Sequence, residues 1–365
     1  MKILITTTAF YPENSPRSIR ATELAKGFAL AGNEVTVVAP LKSKTVELAQ
    51  KFGFELKDLG PMRFKYIKLP EKGGLKRNII RVVSRVLNLL VEYPEIGWYF
   101  NVKNALKNER GYDLLVSIAV PYPVHWGVAS IHNQRNKIAK TWVADCGDPF
   151  YGLKNDSFKK MFYFKYIEKN FCRKADFITI PLEEARDCYF SEFHSKIKVI
   201  PQGFYFPNSI ESKEVIFNPK IVFAYTGNIR SYMHYAIPFL RLLSKTRYDF
   251  EFLLLTEDSV IFSELENFIP SKYQVLPYLD REEMYKLLAN VNFFIHFPYL
   301  KEGQQSLKLV DYYFMGKPIF SYNDTNKAEL IFEEFMNGDF TNSYELQNPE
   351  KYRIENVVKQ FLELV

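Results

Sequence analysis

The chain has 365 residues, 47% hydrophobic and 25% charged, with a formal net charge of +6. That length exceeds one ordinary core and suits two, and the composition excludes a disordered chain. The modest positive charge fits an anionic ligand or an anionic membrane surface, but it lacks the dense basic stripe of a nucleic-acid binder.

The three cysteines, Cys146, Cys172 and Cys188, have no C-x-x-C spacing. They read as reduced thiols of a cytoplasmic protein rather than a disulfide framework or a zinc site. Met1–Thr6 enters a strand directly, without signal-peptide anatomy. No apolar run reaches the ~20 residues that span a bilayer. Cytoplasmic location is the expectation.

In chain order, Lys2–Thr7 is a nearly continuous apolar and β-branched run, as in a strand buried on both faces. From Ser18, apolar residues recur at Ile19, Leu24, Phe28 and Leu30 on one side of a helix that Gly32 closes, and Glu34–Ala39 is the next strand. Strand, crossover helix and parallel strand within about forty residues form a βαβ unit. Further strands are expected at Phe64–Leu69, Leu114–Ala119, Lys140–Ala144, Phe177–Ile180 and Lys198–Ile200. Pro201-Gln202-Gly203 then opens a polar stretch to Pro219, the best linker in the chain.

From Lys220 the rhythm restarts, with strands over IVFAYT, FEFLLLT, Tyr273–Leu276, FFIHF and PIFSY, and a helix from Arg281. Ile354–Val365 reads as a closing helix. The expected class is α/β, with two Rossmann-like parallel-sheet domains, 1–203 and 204–348, and a closing helix over 349–365. Ligands are expected at the carboxyl ends of strands and in a cleft between facing domains.

Residues 75–91 (LKRNIIRVVSRVLNLLV) place Lys76, Arg77, Arg81 and Arg85 on a helix with Ile79, Ile80, Val83, Leu87 and Leu90, unrelieved by any acidic residue. This is either a packed amphipathic helix with a solvated basic edge or a helix lying on an anionic membrane or over a lipid-linked acceptor. The missing acids favour the second.

The common phosphate signatures, G-x-x-x-x-G-K-S/T and G-x-G-x-x-G after the first strand, are missing, so a P-loop ATPase or an ordinary dinucleotide dehydrogenase is not expected. There is no H-E-x-x-H, and five scattered histidines suggest no metal site.

The remaining landmarks resemble one group. The opening KILITTTAFYPENSPRSIRATELAKGFALAGNEVTVVAP resembles the start of the retaining GT-B glycosyltransferases of bacterial envelope-sugar synthesis. In that group the first loop is Gly-rich, so that backbone amides approach a diphosphate. Here the loop carries Arg17, Ser18 and Arg20. Either Arg17 or Arg20 supplies charge in place of those amides, or the loop faces the acceptor; Ser18 is also a natural helix N-cap.

Residues 302–319 (EGQQSLKLVDYYFMGKPI) resemble the S-K-L-x-D/E-Y-x-x-x-G-K/R-P-V/I variant of the group's donor signature, after FFIHF and before PIFSY as the group requires. The resemblance assigns Asp311 to the ribose hydroxyls of the donor and Lys308, with Leu309 beside it, to the diphosphate. The better-known form pairs two acidic residues eight positions apart; Glu302 and Asp311 stand nine apart, with Glu302 as the acid facing the sugar.

FAYTGNIR, residues 223–230, matches the group's Y-x-G strand end, which implies donor contacts by Gly227, Asn228 and Arg230; the usual following lysine is missing and His234 is the nearest cationic candidate. His125, after LLVSIA, is expected near the reacting sugar, or else as a cap or a packing residue. Asp148, in DCGDPF, is expected to orient an acceptor hydroxyl, or simply to form a turn before Pro149. Asn292 stands where the group usually has aspartate.

The resemblance covers Met1 to Tyr322 and implies a metal-independent retaining transferase without a cofactor. A nucleotide-sugar is its donor, a glycan or lipid-linked molecule its acceptor, and surface polysaccharide or lipopolysaccharide its product. Peripheral membrane contact through 75–91 and no nucleic-acid partner are expected. A sugar-nucleotide epimerase of the same fold and a non-catalytic partner subunit are the competing readings.

Overall fold

The computed structural model describes all residues except 71–73, 134, 136, 153–158, 207–219, 280 and 299–307, and of residue 282 the backbone alone. The chain divides into two compact units, Met1–Tyr205 with Glu350–Val365, and Phe206–Pro349.

The first unit is built on a seven-stranded parallel sheet of order β3-β2-β1-β4-β5-β6-β7. Its strands are β1 (Lys2–Thr6), β2 (Glu34–Ala39), β3 (Glu55–Asp58), β4 (Tyr112–Ala119), β5 (Ala139–Cys146), β6 (Phe177–Ile180) and β7 (Ile197–Val199). Strand geometry sends successive side chains to opposite faces. Ile3, Ile5, Leu114, Val116 and Ile118 therefore enter one core, and Leu4, Leu115 and Ala119 the other. Both faces are covered, as a parallel sheet requires.

Helix α1 (Pro16–Leu30) follows β1. Its N-cap is Ser15, whose Oγ accepts from the Ser18 amide at 3.2 Å, with proline in the first turn. The expected cap, Ser18, instead lies inside the helix, fully buried. Helix α2 (Ser43–Phe52) joins β2 to β3 and ends on Gly53 at φ +76°.

Phe64–Leu69 is not a strand. It alternates apolar and polar residues but finds no strand to pair with; Phe64 packs on Phe100, and Tyr66 Oη donates to Glu95 at 2.6 Å. The edge strand is β3, whose ELKD sequence has almost no apolar signal.

Helix α3 (Leu75–Val91) has no buried residue. Then come α4 (Gly97–Leu106), α5 (Pro123–Ile131) after β4, and α6 (Phe164–Lys174).

The second unit has a five-stranded parallel sheet of order β10-β9-β8-β11-β12. Its strands are β8 (Ile221–Thr226), β9 (Phe250–Leu255), β10 (Tyr273–Leu276), β11 (Phe293–His296) and β12 (Ile319–Ser321). The intervening helices are α7 (Met233–Lys245), α8 (Phe262–Phe268), α9 (Arg281–Leu288), α10 (Lys308–Phe314) and α11 (Asn326–Met336). The core is aromatic, and Phe223 stacks on Phe250, Phe252 and Phe293 at 5.0–5.5 Å. Asn292 ties the sheet together, its Oδ1 accepting from the Val222 amide at 2.8 Å and its own amide donating to Val222 O at 2.7 Å.

The final helix α12 (Ile354–Leu362) returns to the first unit, where Ile354, Val357, Val358 and Phe361 share a core with α1. A Cβ at Gly27 would fall 2.5 Å from Ile354 Cγ1, so only glycine permits this approach.

Candidate functional site

In the second unit the candidate site lies at the carboxyl end of β8, where parallel sheets present ligand-binding groups. Gly227 follows β8 at φ +104°, a conformation that favours glycine. Even a Cβ there would sit only 3.5 Å from Lys308 Nζ. That ammonium donates to Tyr225 Oη at 2.7 Å and lies 4.0 Å from the Tyr225 ring centroid and 5.0 Å from that of Tyr232. Tyr225 Oη in turn donates to Asn228 O at 2.8 Å. Lys308 has no carboxylate partner among the described residues, and desolvation pulls its pKa down to about 7.

Tyr312 fixes α10 to β8. Its hydroxyl accepts from the Thr226 amide at 2.8 Å, and its ring stacks on Phe294 at 4.0 Å. One turn from Lys308, Asp311 Oδ1 accepts from Arg281 Nε at 3.1 Å, from Arg281 Nη2, and from Tyr285 Oη at 2.6 Å. Oδ2 is left without a hydrogen bond among the described residues, so a single oxygen remains for a ligand hydroxyl.

Arg230, expected to clasp a diphosphate, is exposed and turned to Asp258 at 3.5 Å. Asp258 also accepts from the amides of Ile229 at 3.0 Å and Arg230 at 3.3 Å, so the protein's own carboxylate fills the place an anion would take. Leu309 lies in the core rather than at a ligand surface, and His234 is exposed on α7. Glu302 lies outside the described residues.

Arg281, Tyr285 and His296 belong to this region and were not anticipated as site residues. His296 ends β11; burial, then the charge of Lys308, lowers its pKa to about 4. It is therefore neutral, with Nδ1 paired to Ser321 Oγ at 3.0 Å. Its position at a strand's carboxyl end was the available signal.

The first unit corrects several expectations. Arg20 is not a loop cation but is buried, with Nε and Nη2 on the two oxygens of Asp145 at 3.1 and 2.9 Å. Thr179 Oγ1 adds a third bond to Asp145 at 2.7 Å. Burial alone would raise the Asp145 pKa, but the Arg20 charge and these bonds hold it below the usual carboxylate value.

His125, expected at the reacting sugar, is 0% exposed in the core. Trp142 Nε1 donates to Ser117 Oγ at 2.8 Å, Ser117 Oγ lies 2.8 Å from His125 Nδ1, and Cys146 Sγ lies 3.5 Å from Nε2. Burial, only partly offset by Asp145, lowers its pKa to about 3, so it stays neutral and packs.

Arg17 lies against Gly147, directly after β5, and Asp148 is exposed beside it. Among the described residues no three His, Cys, Asp or Glu side chains are grouped to hold a metal ion.

No protein-family model matches the chain, and no curated protein is similar to it in sequence. Solved structures resemble it in fold. HepE from Anabaena in complex with UDP is 12% identical, with a TM-score of 0.57 over 100% of this chain and 99% of that one. The lipopolysaccharide outer core galactosyltransferase WaaB is 10% identical, with a TM-score of 0.54 over 100% and 99% of the two chains. UDP-GlcNAc 2-epimerase from Neisseria meningitidis, bound to UDP-GlcNAc, is 13% identical, with a TM-score of 0.55 over the same shares.

The chain has the GT-B fold. Its two parallel-sheet α/β units are the Rossmann-like pair of that fold, and its structural neighbours include both GT-B glycosyltransferases and GT-B epimerases. At these identities the shared property is the GT-B architecture alone.

Proposed function

We propose that this GT-B protein is a glycosyltransferase that moves a sugar from a nucleotide-sugar donor to a saccharide or lipid-linked acceptor in surface polysaccharide synthesis. The observation that carries the reading is Lys308, a desolvated amine beside Gly227 with no carboxylate partner among the described residues. A buried cation is costly unless a counter-charge arrives, and a nucleoside diphosphate supplies one. Gly227 leaves room for the diphosphate against the backbone, and Asp311 Oδ2 accepts a ribose hydroxyl. Lys308 then stabilises the charge that builds on the departing diphosphate. The reading uses no resident metal, no cofactor and no covalent nucleophile, and the configuration of the transferred sugar is retained.

Helix α3 supports a location on a membrane surface. Leu75, Ile79, Val82, Val86 and Leu90 form an exposed apolar strip, with Leu75 78% and Val82 59% exposed. Lys76, Arg81 and Arg85 are exposed as well, and no acid interrupts them. An anionic bilayer satisfies both faces, taking the apolar strip into its interface and the basic residues to its headgroups. No helix among the described residues is long and apolar enough to cross a membrane.

The test is a thermal-shift screen of the full chain against nucleotide-sugars and their free diphosphates, repeated with Lys308→Ala and Asp311→Ala. A matching ligand at a hundred times its dissociation constant stabilises by about 2.7 kcal/mol. If every nucleotide acts alike on the wild type and both variants, the donor site is misassigned.

The epimerase neighbour supports a second reading. Incubation with UDP-GlcNAc alone separates the two, because an epimerase changes the sugar without an acceptor and a transferase does not.

A further inference from the structure

Arg17 and Arg20 sit one turn apart on α1, yet only Arg20 is spoken for. The Arg17 guanidinium is half-buried and makes no hydrogen bond or ion pair among the described residues. Asp145 feels its charge, but both oxygens of that carboxylate are already taken by Arg20, one of them by Thr179 as well. Two guanidinium groups thus share one carboxylate, and the excess positive charge falls on Arg17.

The backbone is shaped around this side chain. A Cβ on Gly147 would lie 1.9 Å from Arg17 Cζ and 2.2 Å from each terminal nitrogen. The guanidinium therefore rests where any other residue's side chain would begin. Asp148 follows, exposed and with its carboxylate unpaired among the described residues, while its carbonyl is held by Tyr122 Oη. The Ser18 hydroxyl, next to Arg17 in sequence and 1% exposed, also has no hydrogen-bond partner among the described residues. A planar donor fork with no acceptor among the described residues, laid on glycine at the carboxyl end of a parallel strand, is suited to an oxyanion.

We propose that Arg17, seated on Gly147, binds an oxyanion of the acceptor, so that the acceptor is an acidic molecule, with Asp148 free to orient its hydroxyl. The inference rests on the transferase reading for the word acceptor, while the anion site itself stands on its own geometry. The oxyanion is either the carboxylate of an acidic sugar or the phosphate of a lipid-linked or phosphorylated one.

The test titrates the full chain with three probes, D-glucose, D-glucuronate and D-glucose 6-phosphate, and follows the Arg17 guanidinium signals by NMR. These signals are assigned by their loss in Arg17→Gln. An anionic probe is expected to bind about tenfold or more tighter than glucose, the value of a charge-assisted hydrogen bond. Glucuronate preference identifies a carboxylate, and glucose 6-phosphate preference a phosphate. Arg17→Gln abolishes the preference. Gly147→Ala, which keeps the charge but displaces the flexible guanidinium, reduces it.

Equal binding of all three probes, no binding by any, or a preference retained in Arg17→Gln overturns the proposal. UDP titrated into the same samples reports the donor site separately. Loss of that response leaves the Arg17 result standing, and loss of the Arg17 result leaves the donor reading standing.

Discussion

Near the carboxyl end of the first sheet, Arg20, Asp145 and Thr179 satisfy one another inside the core, and His125, Ser117 and Trp142 do the same. At the carboxyl end of the second sheet, Lys308 is desolvated with two tyrosine rings around it and no opposing charge among the described residues. Both regions hold polar residues at positions where parallel sheets bind ligands. The difference is in pairing: a closed network spends its hydrogen bonds on the fold, and an open one leaves them for a ligand.

The largest effect that tests this contrast is on stability. Asp145→Ala leaves Arg20 buried without its partner and should cost about 3–5 kcal/mol, whereas replacing both by apolar residues should recover most of that loss. Arg17→Met, which breaks no pair, should fall within about 0.5 kcal/mol of wild type. Urea unfolding midpoints check all three; equal losses in Arg17→Met and Asp145→Ala would erase the distinction between a committed and an uncommitted arginine.

Next in size is the pH response of the donor site. Only protonated Lys308 attracts a diphosphate, so UDP affinity should fall as pH rises above about 7, by at most about tenfold per pH unit. Calorimetric titration from pH 7 to 9 measures it. The ligand-free protein moves the other way. The folded pKa lies near 7 and the ordinary lysine value is 10.5, so the unfolded chain binds the extra proton and stability rises over that window. A flat profile in Lys308→Ala assigns both trends to this residue.

A smaller pH effect belongs to Glu168, which is buried with Oε2 on the Tyr151 amide at 2.9 Å and Oε1 without a partner among the described residues. Burial raises its pKa from 4.5 to about 7. The folded state therefore holds a proton the unfolded chain releases, and stability drops as pH climbs through that interval. Glu168→Gln keeps the acceptor oxygen and should flatten the drop, seen as melting temperatures that no longer decline from pH 4.5 to 7.

The smallest effect on stability is on α3. Val82→Glu with Val86→Glu alters an exposed strip and should shift stability by no more than about 0.5 kcal/mol. The same pair should abolish sedimentation with anionic vesicles at low salt. Retained sedimentation would detach α3 from the membrane reading.

The alternation of strands and helices was legible because buried parallel strands are continuous apolar runs and their helices repeat at three to four residues. Every strand of the second unit lies where those runs are. The edge strand β3 was illegible because ELKD pairs on one side only and buries little. Phe64–Leu69 has the right alternation but no partner strand, which no local pattern reveals.

At the candidate site, motif spacing singled out Lys308, Asp311 and Gly227, and the fold sets Lys308 beside Gly227. The fates of Arg20 and His125 were hidden for another reason. Arg20 meets Asp145 across 125 residues of chain, and His125 closes on Ser117 and Cys146 from different strands. A cation's sequence position does not say whether a distant carboxylate will claim it.

The return of α12 to the first unit has a consequence for how the protein is made. That unit draws on Met1–Tyr205 and on Glu350–Val365, and Ile354, Val357, Val358 and Phe361 complete the core against α1. The intervening 206–349 stretch forms a body of its own and takes on the order of ten seconds to synthesise. During that interval the α1 surface around Gly27 is an unfilled groove on a nascent chain. The body that starts first finishes last, and the waiting groove is where a chaperone would be engaged or a neighbouring copy's tail captured by mistake.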